Sequence, residues 1–372
     1  MKNITVLGAG MVGRAMAIDL AKAHAVTSAD LSQKNLELLS ANVRKIEADL
    51  SDQNKIRQVI ADTDLVVGAV PGFMGFNIVK TVIEAKKNIV DISFFPEDGL
   101  ELDALAKKNE VIAVIDCGVA PGMDNIILGY HAERMEVENF VCLVGGLPLK
   151  RTMPFQYKAP FSPADVLEEY TRPARYVVNG KTVMMPALSE VEEIDFDEIG
   201  TLEAFNSDGL RSLVKTMNIQ NMKEKTLRYP GHAKLMEQLR EMGFFSLEEI
   251  SVRGQQVKPI DLTSALFFPK WKYEIGEEEF TVMRVVVEGK EKGNYKRYTY
   301  DLLDRYDQET KTSSMERTTG YTCTAVANLL LEGLYGQKGI SPPEFLGKDE
   351  NCFQYILNYL KARNVVYHLR EK

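Results

Sequence analysis

Three glycines near the amino terminus have the spacing of a turn that can hold phosphate. Gly8, Gly10 and Gly13 follow an apolar stretch at residues 2–7, and a helical pattern begins directly after them. Between a strand and a helix, the first glycine allows a tight turn and the second lets the backbone approach a pyrophosphate. The third lets the helix pack closely on the strand, and the N–H groups at the helix start face the phosphates. The predicted dinucleotide contacts in this turn are Gly8, Gly10, Met11, Val12 and Gly13.

An aspartate stands where a dinucleotide-binding fold recognises the adenosine ribose. Residues 25–29 predict a second strand, and Asp30 follows it. This is close to the distance of ~20 residues after the glycines at which a carboxylate accepts hydrogen bonds from the ribose hydroxyls. The alternative is that Asp30 only caps the next helix. A carboxylate repels a 2′-phosphate and no arginine adjoins it, which favours NAD; Lys34 keeps NADP open as the less favoured cofactor.

Strand patterns alternate with helical patterns up to about residue 125. Further predicted strands lie at residues 44–49, 64–70, 88–93 and 111–116, and residues 64–70 form a continuous apolar run of the length of a central parallel strand. Six such strands with right-handed crossovers predict an α/β fold with a doubly wound Rossmann sheet, whose ligand binds at the carboxyl ends of the strands. The further cofactor contacts predicted at these ends are Asp30, Asp49, Leu50, Val70, Pro71 and Ser93.

The second part of the chain has a different pattern. Strand-like runs lie at residues 139–144, 175–183, 279–287 and 295–300, and Asn179-Gly180 predicts a type I′ hairpin turn. These runs predict an α+β domain with a mixed or antiparallel sheet. The predicted domains are an NAD-binding domain at 1–125, a substrate-binding and oligomerisation domain at 126–317, and a C-terminal helical segment at 318–372, whose helix 318–336 can return to the first domain.

Composition narrows the classes of partner. The 372 residues are 45% hydrophobic, which suffices for two domains, and the net charge of −8 comes without a basic stripe. We therefore expect no nucleic-acid or membrane partner. No apolar run reaches the ~20 residues that span a bilayer, and we expect no signal peptide. Four scattered cysteines without a CxxC pair predict a reduced, cytoplasmic protein without a metal site.

Several segments together resemble the saccharopine dehydrogenase superfamily over nearly the whole chain. They are residues 8–13, 116–125, 145–148 and 226–232. Further segments are similar to its lysine 6-dehydrogenase branch, at residues 188–192, 202–205 and 257–259. Where the saccharopine reductases tend to carry Asp-Pro-Gly-Ile-Asp-His, this chain has residues 120–125, Ala-Pro-Gly-Met-Asp-Asn, which puts saccharopine itself in doubt as the substrate.

The resemblance implies an enzyme that oxidises the terminal amine of L-lysine with NAD, giving 2-aminoadipate 6-semialdehyde and ammonia. It also implies a homo-oligomer, which we expect to be a dimer or a tetramer. In this reaction nicotinamide accepts a hydride, and the protein supplies a base and orientation. The substrate carboxylate fits the planar fork of an arginine, and the α-ammonium fits a carboxylate.

Arg228 and His232 share one turn, and both side chains can be presented at one edge if that turn ends a strand and starts a helix. In the functional interpretation, Arg228 holds the substrate carboxylate and His232 moves protons near neutral pH. In the alternative interpretation, Arg228 pairs with a neighbouring acid and His232 packs or caps at the helix start.

The other candidates also have two interpretations each. Arg211 follows a polar loop that can close over substrate, or is an ordinary surface residue. Arg317 binds substrate, or pairs with an acid such as Glu316. Tyr157 covers a site, or packs at the domain junction.

Two aspartates at predicted strand ends complete the site prediction. Asp91 and Asp116 face the nicotinamide ribose or the substrate amine, or cap the turns that follow them. We predict His232 and Asp116 as catalytic residues. The predicted substrate contacts are Arg228, Arg211, Arg317, Tyr157 and Asp91.

Two other functions use the same sequence features. A reductase of the saccharopine or carboxynorspermidine type joins an amine to a carbonyl compound and would need both Arg211 and Arg228 as carboxylate clamps. A non-catalytic NAD-binding sensor would bind the cofactor without turnover of any amine.

Overall fold

The computed structural model describes residues 1–274 and 276–372, which contain strands β1–β18 and helices α1–α13. The strands are β1 Asn3–Leu7, β2 Ala25–Asp30, β3 Val43–Glu47, β4 Leu65–Gly68, β5 Asn88–Asp91, β6 Ile112–Val114, β7 Glu136–Pro148, β8 Ala174–Val178, β9 Lys181–Met185, β10 Glu192–Phe196, β11 Gly200–Asn206, β12 Asn221–Arg228, β13 Ile250–Val252, β14 Gln255–Val257, β15 Glu279–Glu291, β16 Asn294–Arg305, β17 Gly339–Ser341 and β18 Tyr367–Glu371. The helices are α1 Met11–Leu20, α2 Gln33–Glu37, α3 Gln53–Val59, α4 Gly72–Glu84, α5 Asp103–Lys108, α6 Met123–Ala132, α7 Pro163–Thr171, α8 Leu213–Thr216, α9 His232–Glu241, α10 Pro259–Trp271, α11 Ser314–Leu331, α12 Pro343–Gly347 and α13 Glu350–Lys361, with a 3-10 helix at Gly99–Leu102.

The described residues form two compact units. The first comprises Met1–Glu136, Lys290–Asn294 and Met315–Tyr367, and the second comprises Val137–Gly289, Tyr295–Ser314 and His368–Lys372. The predicted domain boundary at residue 125 falls inside helix α6, and the chain leaves the first unit after Glu136.

The first unit contains a parallel sheet in the order β17-β6-β5-β4-β1-β2-β3. Its strands pair in parallel, with registers such as Asn3↔Ala25 between β1 and β2 and Ile4↔Leu65 between β1 and β4. The chain therefore winds outward in both directions from β1, and the order reverses between β1 and β4, where such a fold binds a dinucleotide. This confirms the predicted α/β Rossmann fold class.

Strand β17 extends this sheet beyond the six strands that the sequence predicts. It has only three residues and pairs with β6, Gly339 opposite Ile112. So short a segment carries too few side chains for a periodic pattern. Only the tertiary fold shows that it belongs to the sheet.

A buried carboxylate in α1 joins the C-terminal helices to the rest of the first unit. Asp19 is 3% exposed and accepts hydrogen bonds from Thr324 Oγ1 at 2.8 Å, Tyr359 OH at 2.7 Å and Arg363 Nε at 2.9 Å. Thr324 lies in α11, and Tyr359 lies in α13. The charged and polar partners offset the cost of removing the carboxylate from water.

The second unit is built on a mixed sheet in the order β10-β11-β12-β7-β15-β16-β18, with β8 pairing with β12 and β9. Strands β12 and β7 are parallel, whereas β11 is antiparallel to both of its neighbours. The predicted hairpin turn is present between β8 and β9, since Asn179 and Gly180 have φ of 50° and 72°, as a type I′ turn requires. The predicted second domain with a mixed or antiparallel sheet is confirmed.

In the described part of the chain, no helix combines the length and the apolar character needed to cross a membrane.

Candidate functional site

The glycine turn links β1 to α1 at the carboxyl edge of the parallel sheet. A Cβ on Gly8 would lie 2.3 Å from the carbonyl oxygen of Ala69, and one on Gly13 would lie 2.2 Å from the carbonyl oxygen of Gly8. Both distances are far below van der Waals contact, so the packing of helix on strand requires glycine at these two positions. Gly10 is different, because no described atom lies within 4 Å of the position of its Cβ.

Helix α1 presents its first turn at this open position. The helix begins at Met11 after Gly10, and Val12 and Gly13 follow within the turn, which contains no acidic side chain among the described residues. The N–H groups of a first helical turn have no partners within the helix and attract anions. An open cradle beside them fits a pyrophosphate, so these residues fit a dinucleotide cofactor.

Asp30 is held at the end of β2, beside the glycine turn. Its Oδ2 accepts a hydrogen bond from the Ala9 N–H at 2.6 Å, and its Oδ1 accepts one from the Ser32 N–H at 2.7 Å. Helix α2 is capped by Ser32, whose Oγ accepts from the Asn35 N–H at 3.3 Å. The carboxylate therefore does not cap that helix, and its position agrees with ribose recognition.

The neighbouring strand ends hold the remaining predicted cofactor contacts. Asp49 is exposed after β3, and hydrogen bonds from the hydroxyl and N–H of Ser51 lower its pKa. Leu50 and Val70 are buried in the apolar core of the first unit, and the exposed Pro71 precedes α4. The side chains of Leu50 and Val70 therefore pack in the core beneath the carboxyl edge of the parallel sheet.

Asp91 ends β5 and is completely buried. Its Oδ1 accepts a hydrogen bond from the Ser93 N–H at 2.8 Å, and its Oδ2 lies 3.2 Å from Ser93 Oγ. Burial raises the pKa of Asp91 to about 7, and the nearby charge of Asp116 adds to the rise. Both oxygens of Asp91 are engaged by Ser93 within the protein, and the predicted contact of Asp91 with substrate stays a prediction. Asp116, 4% exposed, follows β6.

Arg228 lies at the end of β12 and is 2% exposed. Its Nη2 donates to Glu169 Oε2 at 2.7 Å and to Tyr157 OH at 3.3 Å, and its guanidinium carbon lies 4.3 Å from the centre of the Tyr157 ring. Burial raises the pKa of Glu169, although the charge of Arg228 opposes this. Arg228 therefore pairs with a neighbouring acid, as in the alternative interpretation, and Tyr157 stacks on it inside the second unit.

His232 is the first residue of α9 and is also buried. Its Nδ1 lies 2.9 Å from the Phe155 carbonyl oxygen, and its Nε2 lies 2.9 Å from Tyr170 OH. Since a carbonyl only accepts, Nδ1 carries the proton and Nε2 accepts from the tyrosine. Burial and the charge of Arg228 lower the pKa of His232 to about 3. With this pKa the ring is neutral at physiological pH, and the predicted role of His232 in moving protons stays a prediction.

Further residues of this cluster are not among the predicted site residues. Glu169 and Tyr170 lie in α7, and Glu203 of β11 accepts hydrogen bonds from the N–H groups of Gly231 and Ala233. The sequence does contain one indication that Glu169 is buried, because it follows the apolar Val166 by about one helical turn and so lies on the same face of α7. A carboxylate in that position indicates a partner inside the fold.

The two other predicted arginines lie in different units. Arg211, 6% exposed with φ of 48°, lies in the second unit, between β11 and α8. Arg317 lies in α11 of the first unit, and its Nη2 donates to the Arg363 carbonyl at 3.1 Å. Glu316, one of the acids that the alternative interpretation offers to Arg317, forms an ion pair with Arg14 at 2.6 Å.

Family models match both parts of the chain. The model described as the saccharopine dehydrogenase NADP binding domain matches residues 4–114, and that of the saccharopine dehydrogenase C-terminal domain matches residues 118–366.

Curated relatives carry related names. The mitochondrial alpha-aminoadipic semialdehyde synthase of Rattus norvegicus is 21% identical over 99% of this chain and 47% of its own length. A saccharopine dehydrogenase (NADP(+), L-glutamate-forming) of Pyricularia oryzae is 28% identical over 67% of this chain and 59% of its own length. The chain thus spans about half the length of the synthase and somewhat more of the dehydrogenase.

Solved structures have the same fold. Apo saccharopine dehydrogenase (L-Glu forming) from Saccharomyces cerevisiae superposes with a TM-score of 0.79 at 20% identity, covering 100% of both chains. Homospermidine synthase from Legionella pneumophila, in complex with NAD, has a TM-score of 0.67 at 11% identity, covering 100% of this chain and 91% of that one.

The glycine turn predicts two substitutions with opposite consequences. Gly10→Ala should leave the free energy of unfolding nearly unchanged but weaken binding of the dinucleotide, because its Cβ occupies only the open cradle. Gly13→Ala should destabilise the protein by about 2 kcal/mol or more, because its Cβ meets backbone. Urea denaturation and calorimetric titration with NADH measure the two effects. Equal loss of stability in both variants would contradict this assignment.

The buried His232 predicts a pH-dependent stability. The unfolded chain binds a proton at the ordinary pKa of 6.5 and the folded chain only near about 3, so stability is lost as the pH falls below 6.5. From about pH 7 to about pH 5 the loss should reach about 2 kcal/mol. His232→Gln should remove this share of the slope, measured by urea denaturation across this range.

The exposed His368 supplies the matched control. His368→Gln should keep the wild-type slope. Burial lowers the pKa of His131 to about 4, so His131 also reduces the stability as the pH falls. This contribution is the same in the wild type and in both variants. An unchanged slope in His232→Gln would show that the His232 ring is accessible to protons in the folded protein.

Proposed function

Because the chain belongs to the saccharopine dehydrogenase family, we propose that it oxidises the terminal amine of L-lysine with NAD. Hydride transfer to NAD gives an imine and NADH, and water then hydrolyses the imine to 2-aminoadipate 6-semialdehyde and ammonia. The bound cofactor supplies the hydride acceptor. Residues of the chain bind the phosphates at the glycine turn, orient the adenosine ribose through Asp30 and accept the proton of the substrate ammonium.

Our choice of lysine as the substrate rests on the cationic side chains of the second unit, which form ion pairs with carboxylates of the protein. Arg228 is paired with Glu169 at 2.7 Å, Arg175 with Asp208 at 2.8 Å, and Lys225 with Glu192 at 2.7 Å. Saccharopine bears three carboxylates, each of which needs a cationic or hydrogen-bonding partner when it is removed from water.

Lysine bears a single carboxylate and therefore needs fewer such partners than saccharopine does. Cations that already neutralise protein acids are poorly suited to a tricarboxylic substrate, because a new partner must displace the old one. The pairing therefore supports the smaller substrate.

Asp30 supports NAD as the cofactor. Its carboxylate is fixed by the N–H groups of Ala9 and Ser32, and the residues that follow it are Leu31, Ser32 and Gln33, without a cation. A 2′-phosphate placed beside it would meet a negative charge, whereas ribose hydroxyls can donate to it. The family model and the dehydrogenase relatives carry NADP in their names, so Asp30 is the feature to test.

Asp116 is the proposed proton acceptor. It follows β6 at the carboxyl edge of the sheet, the edge at which doubly wound folds bind their ligands. The neutral, doubly hydrogen-bonded His232 lacks the free nitrogen that a base needs, so we assign it to the architecture of the second unit.

The substrate proposal predicts which amines are turned over. L-lysine with NAD should give reduced nicotinamide, whereas saccharopine should give little. The assay follows the absorbance of the reduced cofactor with L-lysine, L-ornithine, saccharopine and carboxynorspermidine, each with NAD and with NADP.

The outcomes separate the candidate functions. Turnover of saccharopine but not of lysine would favour the saccharopine dehydrogenase activity that the names of the relatives state. NAD binding without turnover of any of these amines would favour a sensor.

The cofactor proposal predicts a shift in preference for Asp30→Asn. This variant removes the charge and keeps one side-chain oxygen, so the ratio of kcat/KM for NAD over NADP should fall about tenfold or more. The matched control is Asp64→Asn, since exposed Asp64 also accepts a backbone hydrogen bond, from the Asn3 N–H at 2.8 Å, but precedes β4 at the opposite edge. A ratio that is unchanged in Asp30→Asn would refute recognition of the ribose by Asp30.

A further inference from the structure

The carboxylate of Asp91 is enclosed by the backbone of the strand beside it. A Cβ on Gly68 in β4 would lie 1.8 Å from Asp91 Oδ2, so the carboxylate occupies the space that a side chain would fill. The two residues are register partners in β4 and β5. Asp91 therefore depends on Gly68, and its oxygens are directed at Ser93, two residues further along.

Ser93 is held from a second side by helix α4. A Cβ on Gly75 in that helix would lie 2.5 Å from Ser93 Cβ. The two hydrogen bonds that Ser93 donates to Asp91 and this close helix contact leave Ser93 little freedom to move. The loop that leaves β5 is thus fixed at one residue, by a carboxylate that is itself fully buried.

The order of the strands shows which half of a dinucleotide lies near this loop. Asp30 at the end of β2 marks the adenosine side, and the strand order reverses between β1 and β4. A dinucleotide that crosses this point has its other half over the carboxyl ends of β4, β5 and β6. Ser93 follows β5, so it lies on the nicotinamide side.

We propose that Asp91 is a positioning residue for the nicotinamide half of the cofactor, acting through Ser93. Asp91 does not touch the ligand. Its two oxygens accept hydrogen bonds from the N–H and the hydroxyl of Ser93. They thereby fix the backbone conformation of the loop after β5, at the carboxyl edge of the sheet where the nicotinamide binds. This inference rests on the dinucleotide binding in the proposed function and is independent of the amine substrate.

The titratable groups around Asp91 come from two other elements. Asp116 follows β6, and its charge acts on Asp91, while the thiol of Cys323 in α11 is close enough to feel the Asp91 charge. Cys117 donates its backbone N–H to the Asp91 carbonyl at 2.9 Å. Since burial raises the pKa of Asp91 to about 7, the binding measurements belong well above that value, where the carboxylate is ionised.

The test compares two ligands that differ only in the nicotinamide. Calorimetric titration of the full chain with NADH and with ADP-ribose gives both affinities without any turnover. Asp91→Ala should raise the dissociation constant of NADH about tenfold, which corresponds to the loss of one buried hydrogen bond, and change that of ADP-ribose by less than about twofold.

Two further variants keep the test decisive if Asp91→Ala folds poorly. Asp91→Asn keeps an acceptor for the Ser93 N–H and a polar partner for its hydroxyl, so it should restore NADH affinity to within about threefold of wild type. Ser93→Ala, which leaves Asp91 in place, should reproduce part of the loss for NADH alone.

The control is Asp52→Ala, because Asp52 makes the same kind of bond, to the Asn54 N–H at 2.8 Å, at an exposed helix start. It should leave both affinities unchanged. Equal weakening of NADH and ADP-ribose in Asp91→Ala would overturn the proposal and leave a purely structural role, and so would no change for either ligand. A wild-type protein that binds neither would refute dinucleotide binding itself.

Discussion

The contact between Gly13 and the carbonyl of Gly8 sets where helix α1 begins relative to strand β1. Because Gly13 has no side chain, helix α1 packs directly against the end of strand β1. The first N–H groups of the helix then lie at the carboxyl edge of the sheet. The Ala69 carbonyl closes the other side of Gly8, so the turn is confined by β4 as well. Asp30 then completes the turn from β2 through the Ala9 N–H. Three neighbouring strands thus contribute to the glycine turn.

A second constraint governs the other unit, where a guanidinium is buried in an apolar core. Arg228 needs a carboxylate there, because an unpaired buried charge costs several kcal/mol. Glu169 supplies it, and Tyr157 covers the face of the guanidinium. The same positive charge acts on His232 and helps to keep its ring neutral. Arg228 and His232, the pair predicted as a substrate clamp, thus make hydrogen bonds to other residues of the second unit.

The two aspartates at β2 and β5 show how one residue type serves two purposes at the same edge. Asp30 is partly exposed and can meet ribose hydroxyls while it holds the backbone of the turn. Asp91 is fully buried and holds only the protein. Of these two carboxylates, only the partly exposed Asp30 is open to ligand, whereas the buried Asp91 is directed at Ser93.

The sequence by itself determined the fold class of the first unit, its cofactor turn and the hairpin at Asn179-Gly180. These features depend on local patterns, such as apolar runs, glycine spacing and positive φ, which neighbouring residues in the chain reveal. It did not determine the strand β17, the pairing of Arg228 with Glu169 or the neutral state of His232. Those depend on residues far apart in the chain, and on burial, which has no local signature. Only the tertiary structure decided them, because the pKa of a side chain and the partner of a buried charge follow from what surrounds it in space.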